Sequence, residues 1–444
     1  MCSEKGVLKQ FDFWLLMVIL FLMPIAGTFT LAGKPVQISD VLFLIYFLVW
    51  FSKKIIRKDI QVNAKFYIFC GMLVIFCLST FFSPFKAKSV VGLAIKIYLL
   101  TLAYVISEEI NSVSRFKAAI NTILLSGTYV IFLSFWGMLS FVIKSPSIFL
   151  CPSDILDLPL RFLPRLQSTF SSSSFLSSFL SIVIVILLGN ILFEGLPFKR
   201  LFNHAIYIIL AAIVFIFTFS RDLIGLGWGL IFLLRTWDMD KKRLSLIIAH
   251  FKWVMVLITV FLLVCSIWYI FPIKIYKTPS TITLPSDEVQ YELKAGDIVS
   301  RMGWISERFI SFNSRMHNRF MELKDAGKTF INNPVFGIGV GVLPSQGYFP
   351  QSYSRSSHNT YLQVLSQTGI LGFAIFLIFI IAGLFRVLLW QGQNPQSYSI
   401  RVIFQVILLV LLINMFFTDL DNFRYFWIIS GLILSLNNPN IKDA

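Results

Sequence analysis

The chain has 444 residues, of which 57% are hydrophobic and only 14% are charged, and its formal net charge is +16. Soluble domains carry roughly 25% charged residues, so the composition excludes a soluble globular protein and indicates a polytopic membrane protein. In such a chain the positions of Lys and Arg report topology, and the basic excess does not imply nucleic-acid binding. The five cysteines show no zinc-site spacing and imply no disulfide framework.

About twelve stretches approach the roughly twenty apolar residues that a membrane-spanning helix needs. They cover approximately residues 11–32, 36–52, 65–83, 89–107, 118–143, 171–193, 204–220, 222–236, 250–271, 358–390, 398–417 and 422–437. The first run lacks a small-residue cleavage site, and we interpret it as a retained helix rather than a signal peptide. We therefore predict an all-α polytopic membrane protein with about twelve transmembrane helices and one long, partly helical external loop.

The basic residues assign a side to each connection. With a cytoplasmic N-terminus, the internal segments hold most of the basic side chains: Lys5, Lys9, Lys53, Lys54, Arg57, Lys58, Lys65, Arg115, Lys117, Lys199, Arg200, Arg235, Lys241, Lys242, Arg243, Arg386 and Arg401. Because cytoplasmic loops are enriched in Lys and Arg, both termini are predicted to be cytoplasmic. The external side then receives residues 144–170, the turn Ser220-Arg221-Asp222 and the loop from Pro272 to Ser357.

This topology divides the chain into three parts of one integrated membrane domain. Residues 1–271 would hold transmembrane helices 1–9, residues 272–357 the external loop, and residues 358–444 transmembrane helices 10–12. The loop contains aromatic residues and a helical spacing around Met321 to Phe330. We therefore expect it to pack on the membrane domain, although residues 278–297 are polar.

Arg221 stands in a short turn with apolar residues on both sides. A charge near hydrocarbon is costly unless it meets a partner or water, so Arg221 is a functional candidate. Two structural explanations remain open at this point. The side chain could reach the headgroups, or it could pair with Asp222, although adjacent residues do not face each other on a helix.

His358 begins the apolar run that follows the long loop, and Ser356, Ser357 and Asn359 beside it are suitable helix caps. Histidine changes charge near neutral pH and can accept a proton from a hydroxyl. The alternative is that His358 is an interfacial residue of a capping segment.

The chain contains three other histidines, and one of them could serve as the base instead of His358. His317 also precedes an asparagine and lies in the external loop, so it is the rival of His358 as a base. His204 and His250 fall on the predicted cytoplasmic side and are discounted.

Arg315 and Arg319 are four residues apart and would share one helical face, with Arg301 and Arg308 upstream. A guanidinium binds phosphate oxygens through two parallel hydrogen bonds and stays charged at any working pH. An external arginine cluster above a membrane cavity suits a lipid-linked diphosphate. The alternative is a solvated basic face attracted to anionic headgroups.

Arg161 and Arg165 precede the serine run Ser171 to Ser174, which continues into an apolar helix. These arginines could guard the mouth of a polar cavity. Small hydroxyl residues also permit close helix packing in lipid, which is the simpler explanation of the serine run.

Gly337, Gly339 and Gly341 resemble a nucleotide-binding loop only superficially, because no strand pattern precedes them and no Gly-Lys-Ser/Thr follows. We interpret the run as a tight backbone turn. Asp419 and Asp421, in the turn before the last apolar run, are carboxylates that could neutralise arginines or serve as a base.

Together these residues resemble the O-antigen ligase and O-antigen polymerase superfamily. The specific elements are Arg319, Asn333-Pro334, Phe336-Gly337-Ile338-Gly339, His358-Asn359-Thr360-Tyr361-Leu362 and Thr368-Gly369-Ile370-Leu371-Gly372. Ser220-Arg221 matches an arginine that the family places at an outer helix junction, and the segment Arg165 to Phe170 resembles an upstream element more loosely. The specific resemblance covers about the second half of the chain.

The resemblance implies a GT-C-like, all-helical glycosyltransferase of the bacterial inner membrane, with its active site facing the periplasm. The donor would be a glycan on undecaprenyl diphosphate. Ligases transfer it to lipid A–core oligosaccharide, and polymerases transfer it to the next lipid-linked repeat unit. The resemblance implies neither a nucleotide sugar nor a cofactor, and no metal ion.

The resemblance also implies the roles of the site residues. Arg221 and Arg319 would neutralise the charge that grows on the diphosphate leaving group, since preorganised charge is often the largest catalytic term. His358 would accept the proton of the acceptor hydroxyl. Arg315 and Arg165 would help to bind the donor diphosphate, and Asn359 and Ser220 would support the catalytic residues.

Two alternatives stay open. Ligase and polymerase cannot be separated by these motifs, although the His-Asn element after a single large loop favours a ligase. A flippase for lipid-linked oligosaccharides would need polar groups throughout the bilayer depth. The predicted spans contain few ionisable residues, such as Asp40 near an end and Lys96 inside one, which favours chemistry at one face.

Overall fold

The computed structural model describes residues 2–24, 28–31, 34–58, 63–142, 150–155, 164–193, 197–218, 220–236, 321–343, 357–390 and 395–436. All of these residues belong to one compact unit, and a second unit, formed by Leu156–Phe162 and Asp238–Asn318, lies outside the described residues. In chain order the elements are α1 (Cys2–Leu22), β1 (Thr28–Leu31), β2 (Lys34–Gln37), α2 (Ile38–Ile56), α3 (Ala64–Phe82), α4 (Lys86–Glu109), α5 (Val113–Val142), β3 (Leu150–Ile155), β4 (Pro164–Leu166), α6 (Ser173–Phe193), α7 (Phe198–Phe217), α8 (Leu223–Thr236), α9 (Thr360–Leu389), α10 (Pro395–Asn414) and α11 (Arg424–Ser435). Residues 321–332 are also helical, and a 3-10 turn spans Leu420–Asn422.

Apolar helices dominate this unit, as the composition predicts. In the described part of the chain, the 6 helices α3, α4, α5, α6, α7 and α9 are long and apolar enough to cross a membrane, and shorter apolar helices accompany them. Every predicted apolar stretch that the described residues cover contains a helix. The all-α membrane class is therefore confirmed, whereas the predicted number of spans and the GT-C-like fold stay predictions. The stretch 250–271 lies outside the described residues.

The first predicted stretch, 11–32, is wrong in its second half. Helix α1 ends at Leu22, and β1 then pairs antiparallel with β2 from Thr28 opposite Gln37 to Leu31 opposite Lys34. Pro24 is the second residue after the helix end, and proline both lacks an N–H and disfavours the helical conformation of the residue before it, here Met23. Hydropathy does not register this break, because the residues after Pro24 are still largely apolar.

Helices α6 and α11 form the interior of the bundle. Every residue of α6 from Leu176 to Leu187 is buried, and so is every residue of α11 from Tyr425 to Ser435. Helices that are apolar all round are expected at such central positions. Helix α8 packs on α10 through Gly225 and Gly229, where an added Cβ would overlap side chains of α10. Small residues thus allow close packing of these two helices.

Helix α9 lies within the predicted apolar stretch 358–390 and is long and apolar enough to cross a membrane, but it is divided into two pieces at Gly369. Gly369 has φ 66° and ψ −168°, which are not helical values. The backbone N–H of Ile370 donates to the carbonyl of Pro334 at 2.8 Å, so the chain of residues 333–342 enters the break. The residues after the break, 370–389, are long enough to span a bilayer by themselves.

The glycine-rich segment 337–342 is bound to the first piece of α9. The backbone N–H groups of Ile338 and Gly339 donate to the carbonyls of Ser366 and Gln367 at 2.9 and 3.0 Å. The buried Gln367 amide accepts from the N–H of Gly341 and donates to the carbonyl of Val342, both at 3.1 Å. These contacts agree with the interpretation of the run as a tight turn rather than a nucleotide-binding loop.

Two ion pairs, one buried and one partly exposed, support the turn that precedes α11. Lys96 of α4 contacts the Asp421 carboxylate at 2.6 Å, and the two side chains are 5% and 2% exposed. Lys96 also donates to the Asp421 carbonyl at 2.9 Å and to Asn422 at 2.8 Å. Arg424 forms a two-point contact with Asp40 of α2, at 3.0 and 2.7 Å. Asp421 is therefore paired with a lysine, and the prediction that it neutralises an arginine is wrong.

We predict that Gly337→Ala lowers the thermal unfolding midpoint of the protein in detergent. Gly337 has φ 71°, and an added Cβ would overlap the backbone of Gln367. A non-glycine residue in such a conformation costs about 1–3 kcal/mol before the overlap is counted. Gly327→Ala is the matched control, because Gly327 is helical and an added Cβ meets nothing within 4 Å. Equal midpoints for the two variants would contradict the docked position of the segment.

A second prediction concerns the buried ion pair. Lys96→Met should destabilise the protein by about 3–5 kcal/mol, because it leaves the Asp421 carboxylate buried without its cation. The double variant Lys96→Met/Asp421→Asn should recover part of this loss. Lys53→Met is the control, since Lys53 pairs with Asp12 at 2.7 Å but the side chains are 34% and 25% exposed; exposed pairs contribute only about 0–1 kcal/mol. A Lys96 variant as stable as the Lys53 variant would contradict the pairing.

Candidate active site

Arg221 and its neighbour Asp222 have opposite environments in the short turn between α7 and α8. Arg221 is exposed, whereas Asp222 is completely buried. Within the described residues, no ion pair joins Arg221 to Asp222, and the Arg221 guanidinium makes no hydrogen bond. The explanation of Arg221 as the partner of Asp222 is therefore not what the structure shows.

The Asp222 carboxylate is surrounded by hydroxyl groups. Its Oδ2 accepts hydrogen bonds from Ser177 and Ser178 of α6, at 2.5 and 2.7 Å. Its Oδ1 accepts a hydrogen bond from Thr418, just beyond α10, at 3.2 Å. Burial raises the pKa of the Asp222 carboxyl, and the hydroxyl hydrogen bonds act in the opposite direction. Three separate chain segments thus meet at this carboxylate.

Thr418 connects this cluster to the start of α9. Its carbonyl accepts a hydrogen bond from the Thr360 hydroxyl at 2.6 Å, and that hydroxyl accepts one from the N–H of Leu420 at 2.8 Å. The N–H of Thr360 donates to the carbonyl of Met415, also at 2.8 Å. Because Thr360 follows His358 by two residues, the turns that carry Arg221 and His358 lie at the same end of the helix bundle.

His358 lies in a strained turn that is held by its neighbours. It is half-buried and adopts φ 50°, a left-handed conformation that is uncommon for residues other than glycine. Asn359 caps α9 by accepting from the N–H of Leu362 at 3.0 Å, and its amide donates to the carbonyl of Phe416 at 3.3 Å. Ser357 bonds the carbonyl of Asn359 at 3.0 Å. The predicted cap is thus Asn359, and strained backbone of this kind clusters at functional sites.

The polar turn 415–423 is attached to the interior of α4 as well as to the start of α9. Lys96 is ten residues after Lys86, where α4 begins, which corresponds to about 15 Å along a helix. Its carboxylate partner Asp421 lies in the turn, and the N–H of the adjacent Leu420 donates to the Thr360 hydroxyl at 2.8 Å.

The remaining predicted site residues are only partly described. Arg315, Arg319 and His317 lie outside the described residues. Arg165 is in β4, where its backbone is opposite Cys151, but its side chain is not described. The Ser220 hydroxyl accepts a hydrogen bond from the N–H of Asp222 at 3.3 Å. The convergence of Arg319 with Arg221 and His358 therefore stays a prediction.

His204 is at the other end of α7 from Arg221. Its Nδ1 is 2.8 Å from the carbonyl of Arg200, in the first turns of that helix. The discounting of His204 from sequence agrees with this position, and His250 lies outside the described residues.

The sequence reasoning missed the buried polar residues that connect the candidate site. Asp222 was treated only as a partner of Arg221, and the buried serines Ser177 and Ser178 and the residue Thr418 were not singled out. One signal was available, since a carboxylate in an apolar region needs hydrogen-bond donors, and the serine-rich start of α6 could supply them. Thr418 could not be found in this way, because its contact with Asp222 spans the fold.

In chemical terms, this end of the bundle offers an exposed guanidinium and an imidazole in a strained turn, with buried hydrogen bonds connecting the two turns. Such groups can bind an anion and move a proton. Among the residues that the structure describes, no group of three or more His, Cys, Asp or Glu side chains could hold a metal ion.

The comparison with protein families matches a segment that contains the candidate site residues. The O-antigen ligase family model matches residues 205–377, which contain Arg221, the glycine-rich segment and His358. A comparison with curated proteins finds no match. The family match indicates a ligase- or polymerase-type glycosyltransferase function and confirms the resemblance drawn from the sequence motifs. Residues 205–377 of this chain, less than half of its 444 residues, are therefore similar to the O-antigen ligase family.

Proposed function

We propose that this chain is an O-antigen ligase-type glycosyltransferase. It moves a polysaccharide from undecaprenyl diphosphate to a sugar hydroxyl of lipid A–core at the periplasmic face of the bacterial inner membrane. The observation that carries the proposal is the contact path between two turns of the matched segment 205–377. Asp222 accepts a hydrogen bond from the Thr418 hydroxyl, and the Thr418 carbonyl accepts one from the Thr360 hydroxyl. Arg221 is next to one end of this path in sequence, and His358 is two residues before the other end.

Arg221 is suited to bind the donor diphosphate. Its side chain is exposed, and within the described residues no carboxylate neutralises it. A guanidinium can hold two phosphate oxygens at once, and it remains charged at any working pH. Arg319, Arg315 and Arg165 would add positive charge around the same diphosphate. The charge that grows on the leaving group as the glycosidic bond breaks would thus be stabilised by groups already in place.

His358 is the proposed proton acceptor. As the acceptor sugar attacks the anomeric carbon of the donor, its hydroxyl proton passes to the imidazole, and the diphosphate departs with the bonding electron pair. Asn359 and Ser220 support the two turns through the contacts described above. The diphosphate is already an activated leaving group, so the reaction needs no ATP, and the resemblance implies no metal ion or other cofactor.

The proposed arrangement in the membrane follows from the charge distribution and the helices. About twelve spans in a GT-C-like fold would leave both termini in the cytoplasm. The polyprenyl tail of the donor would lie between helices, and the periplasmic loop 272–357 would cover the reacting end. The partners are the lipid-linked donor, the lipid A–core acceptor and the bilayer, with no nucleic acid.

A polymerase that joins lipid-linked repeat units remains the second candidate, because the family match and the same residues suit both reactions. The two activities differ in the acceptor, not in the handling of the diphosphate. A flippase is less well supported. Lys96 and Asp40, the ionisable residues noted inside or near the predicted spans, are held in ion pairs with Asp421 and Arg424.

We predict that Arg221→Ala and His358→Ala each lower glycan transfer by at least about 100-fold, with the protein level unchanged. Loss of preorganised charge or of a proton acceptor has effects of this size. The measurement is surface glycan on a lipopolysaccharide gel, with membrane protein quantified in parallel. Arg235→Ala and His204→Ala are matched controls, because these residues lie at the opposite end of α8 and α7.

His317→Ala should be mild in the same assay. Loss of all transfer in His317→Ala, with normal transfer in His358→Ala, would exchange the roles of the two histidines. Near-normal surface glycan in Arg221→Ala would contradict the proposed diphosphate site.

Deletion of the gene tests the proposed acceptor. For a ligase we expect the loss of all long glycan chains from lipopolysaccharide and the accumulation of polymer on the lipid carrier. Core carrying one repeat unit would instead identify a polymerase. An unchanged lipopolysaccharide profile, with no lipid-linked glycan accumulating, would contradict both activities.

A further inference from the structure

We infer that Asp222 is a positioning residue that keeps the turn of Arg221 in register with the turn of His358. The inference rests on the proposed function, because register between these turns matters only if they act on one substrate. Asp222 would not touch the substrate. It would act through Thr418, a residue outside the segment that matches the family model.

The first step of the argument is the location of the carboxylate. Asp222 is completely buried, although the arginine beside it in sequence is exposed. A buried carboxylate without donors is costly, and here hydroxyls supply them instead of the neighbouring guanidinium. The turn is therefore fixed by Asp222, and Arg221 keeps its positive charge for a ligand.

The second step is that the two carboxylate oxygens have different partners. Oδ2 accepts from Ser177 and Ser178, which anchor the turn to α6. Oδ1 accepts from the Thr418 hydroxyl, which belongs to the connection between α10 and α11. One oxygen therefore attaches the turn to the bundle interior, and the other sets its position against a second turn.

The third step continues to His358. The Thr418 carbonyl accepts the Thr360 hydroxyl at 2.6 Å, and Asn359 reaches the carbonyl of Phe416 at 3.3 Å. Residues 415–420 thus connect the two turns. Asp222 is adjacent in sequence to Arg221, and Asn359 is adjacent to His358. A shift of residues 415–420 therefore changes the distance between the Arg221 guanidinium and the His358 imidazole.

The decisive variant is Thr418→Val, which removes the hydroxyl but keeps the shape of the side chain and the carbonyl that Thr360 uses. We expect kcat to fall about 10-fold and KM to change less than about 2-fold, because small misplacements of catalytic groups reduce rate more than binding. Rates are measured with the purified full-length protein in nanodiscs, using as donor the lipid-linked glycan that accumulates in the deletion strain. Each rate is expressed per folded protein, judged by gel filtration.

The matched control is Thr101→Val. Thr101 is in α4 away from the site, and its hydroxyl bonds the carbonyl of Ile97 in its own helix at 2.7 Å. Its kcat and KM should equal those of the wild type. A fall in kcat in Thr101→Val as large as that in Thr418→Val would overturn the inference, since any threonine hydroxyl would then give the effect.

A second pair of variants separates hydrogen bonding from charge. Asp222→Ala removes all three contacts and should lower kcat more than Thr418→Val does. Asp222→Asn keeps the shape; its oxygen can accept from the serines and its amide can donate to the Thr418 oxygen. We therefore expect Asp222→Asn to restore most of the rate lost in Asp222→Ala. A rate in Asp222→Asn as low as in Asp222→Ala would overturn a positioning role.

The outcomes distinguish this inference from the proposed function. An active wild type together with a wild-type kcat in Thr418→Val overturns the positioning role alone. If the wild-type protein transfers no glycan, and deletion of its gene leaves lipopolysaccharide unchanged, the proposed function is wrong. The positioning role of Asp222 then fails with it.

Discussion

A carboxylate can be buried in an apolar helix bundle only if donors surround it, and Asp222 meets this requirement where three chain segments converge. Its partners come from α6 and from the connection after α10. These hydrogen bonds fix the position of the turn between α7 and α8, and they thereby fix the backbone of the exposed Arg221 in that turn. The rest of the candidate site is arranged around this junction, since Thr418 extends it to the beginning of α9.

The junction is supported from the first half of the chain, which the family match does not cover. Lys96 of α4 and Asp40 of α2 hold the residues on either side of the turn that precedes α11. A buried ion pair is favourable only when its geometry is good and further hydrogen bonds satisfy the two charged groups. Lys96 has three acceptors, whereas Oδ1 of its partner Asp421 has no hydrogen-bond partner among the described residues. Residues 421–424, which follow the matched segment, are thus held by residues of the first two hundred positions that no motif contains.

The glycine-rich segment has a structural role at the same end of the bundle. Gly369 interrupts α9, and the backbone of residues 334–342 fills the break with hydrogen bonds to both sides of it. A side chain at Gly337 or Gly369 would overlap the facing backbone. The resemblance between the glycine pattern and a phosphate-binding loop is therefore accidental, and the pattern reflects close backbone packing at the break in α9.

Local sequence determined the helices and the candidate charges, because the length of an apolar run and the cost of an isolated charge are properties of a short stretch. Arg221, His358 and the Asn359 cap were all recognisable in this way. The end of α1 at Leu22, the break at Gly369 and the pairing of Lys96 with Asp421 were not. Each depends on a backbone conformation or on a contact between distant residues, and hydropathy counts only apolar content. The tertiary structure alone decided that Asp222 faces hydroxyls rather than Arg221, because only packing brings Ser177, Ser178 and Thr418 to one carboxylate.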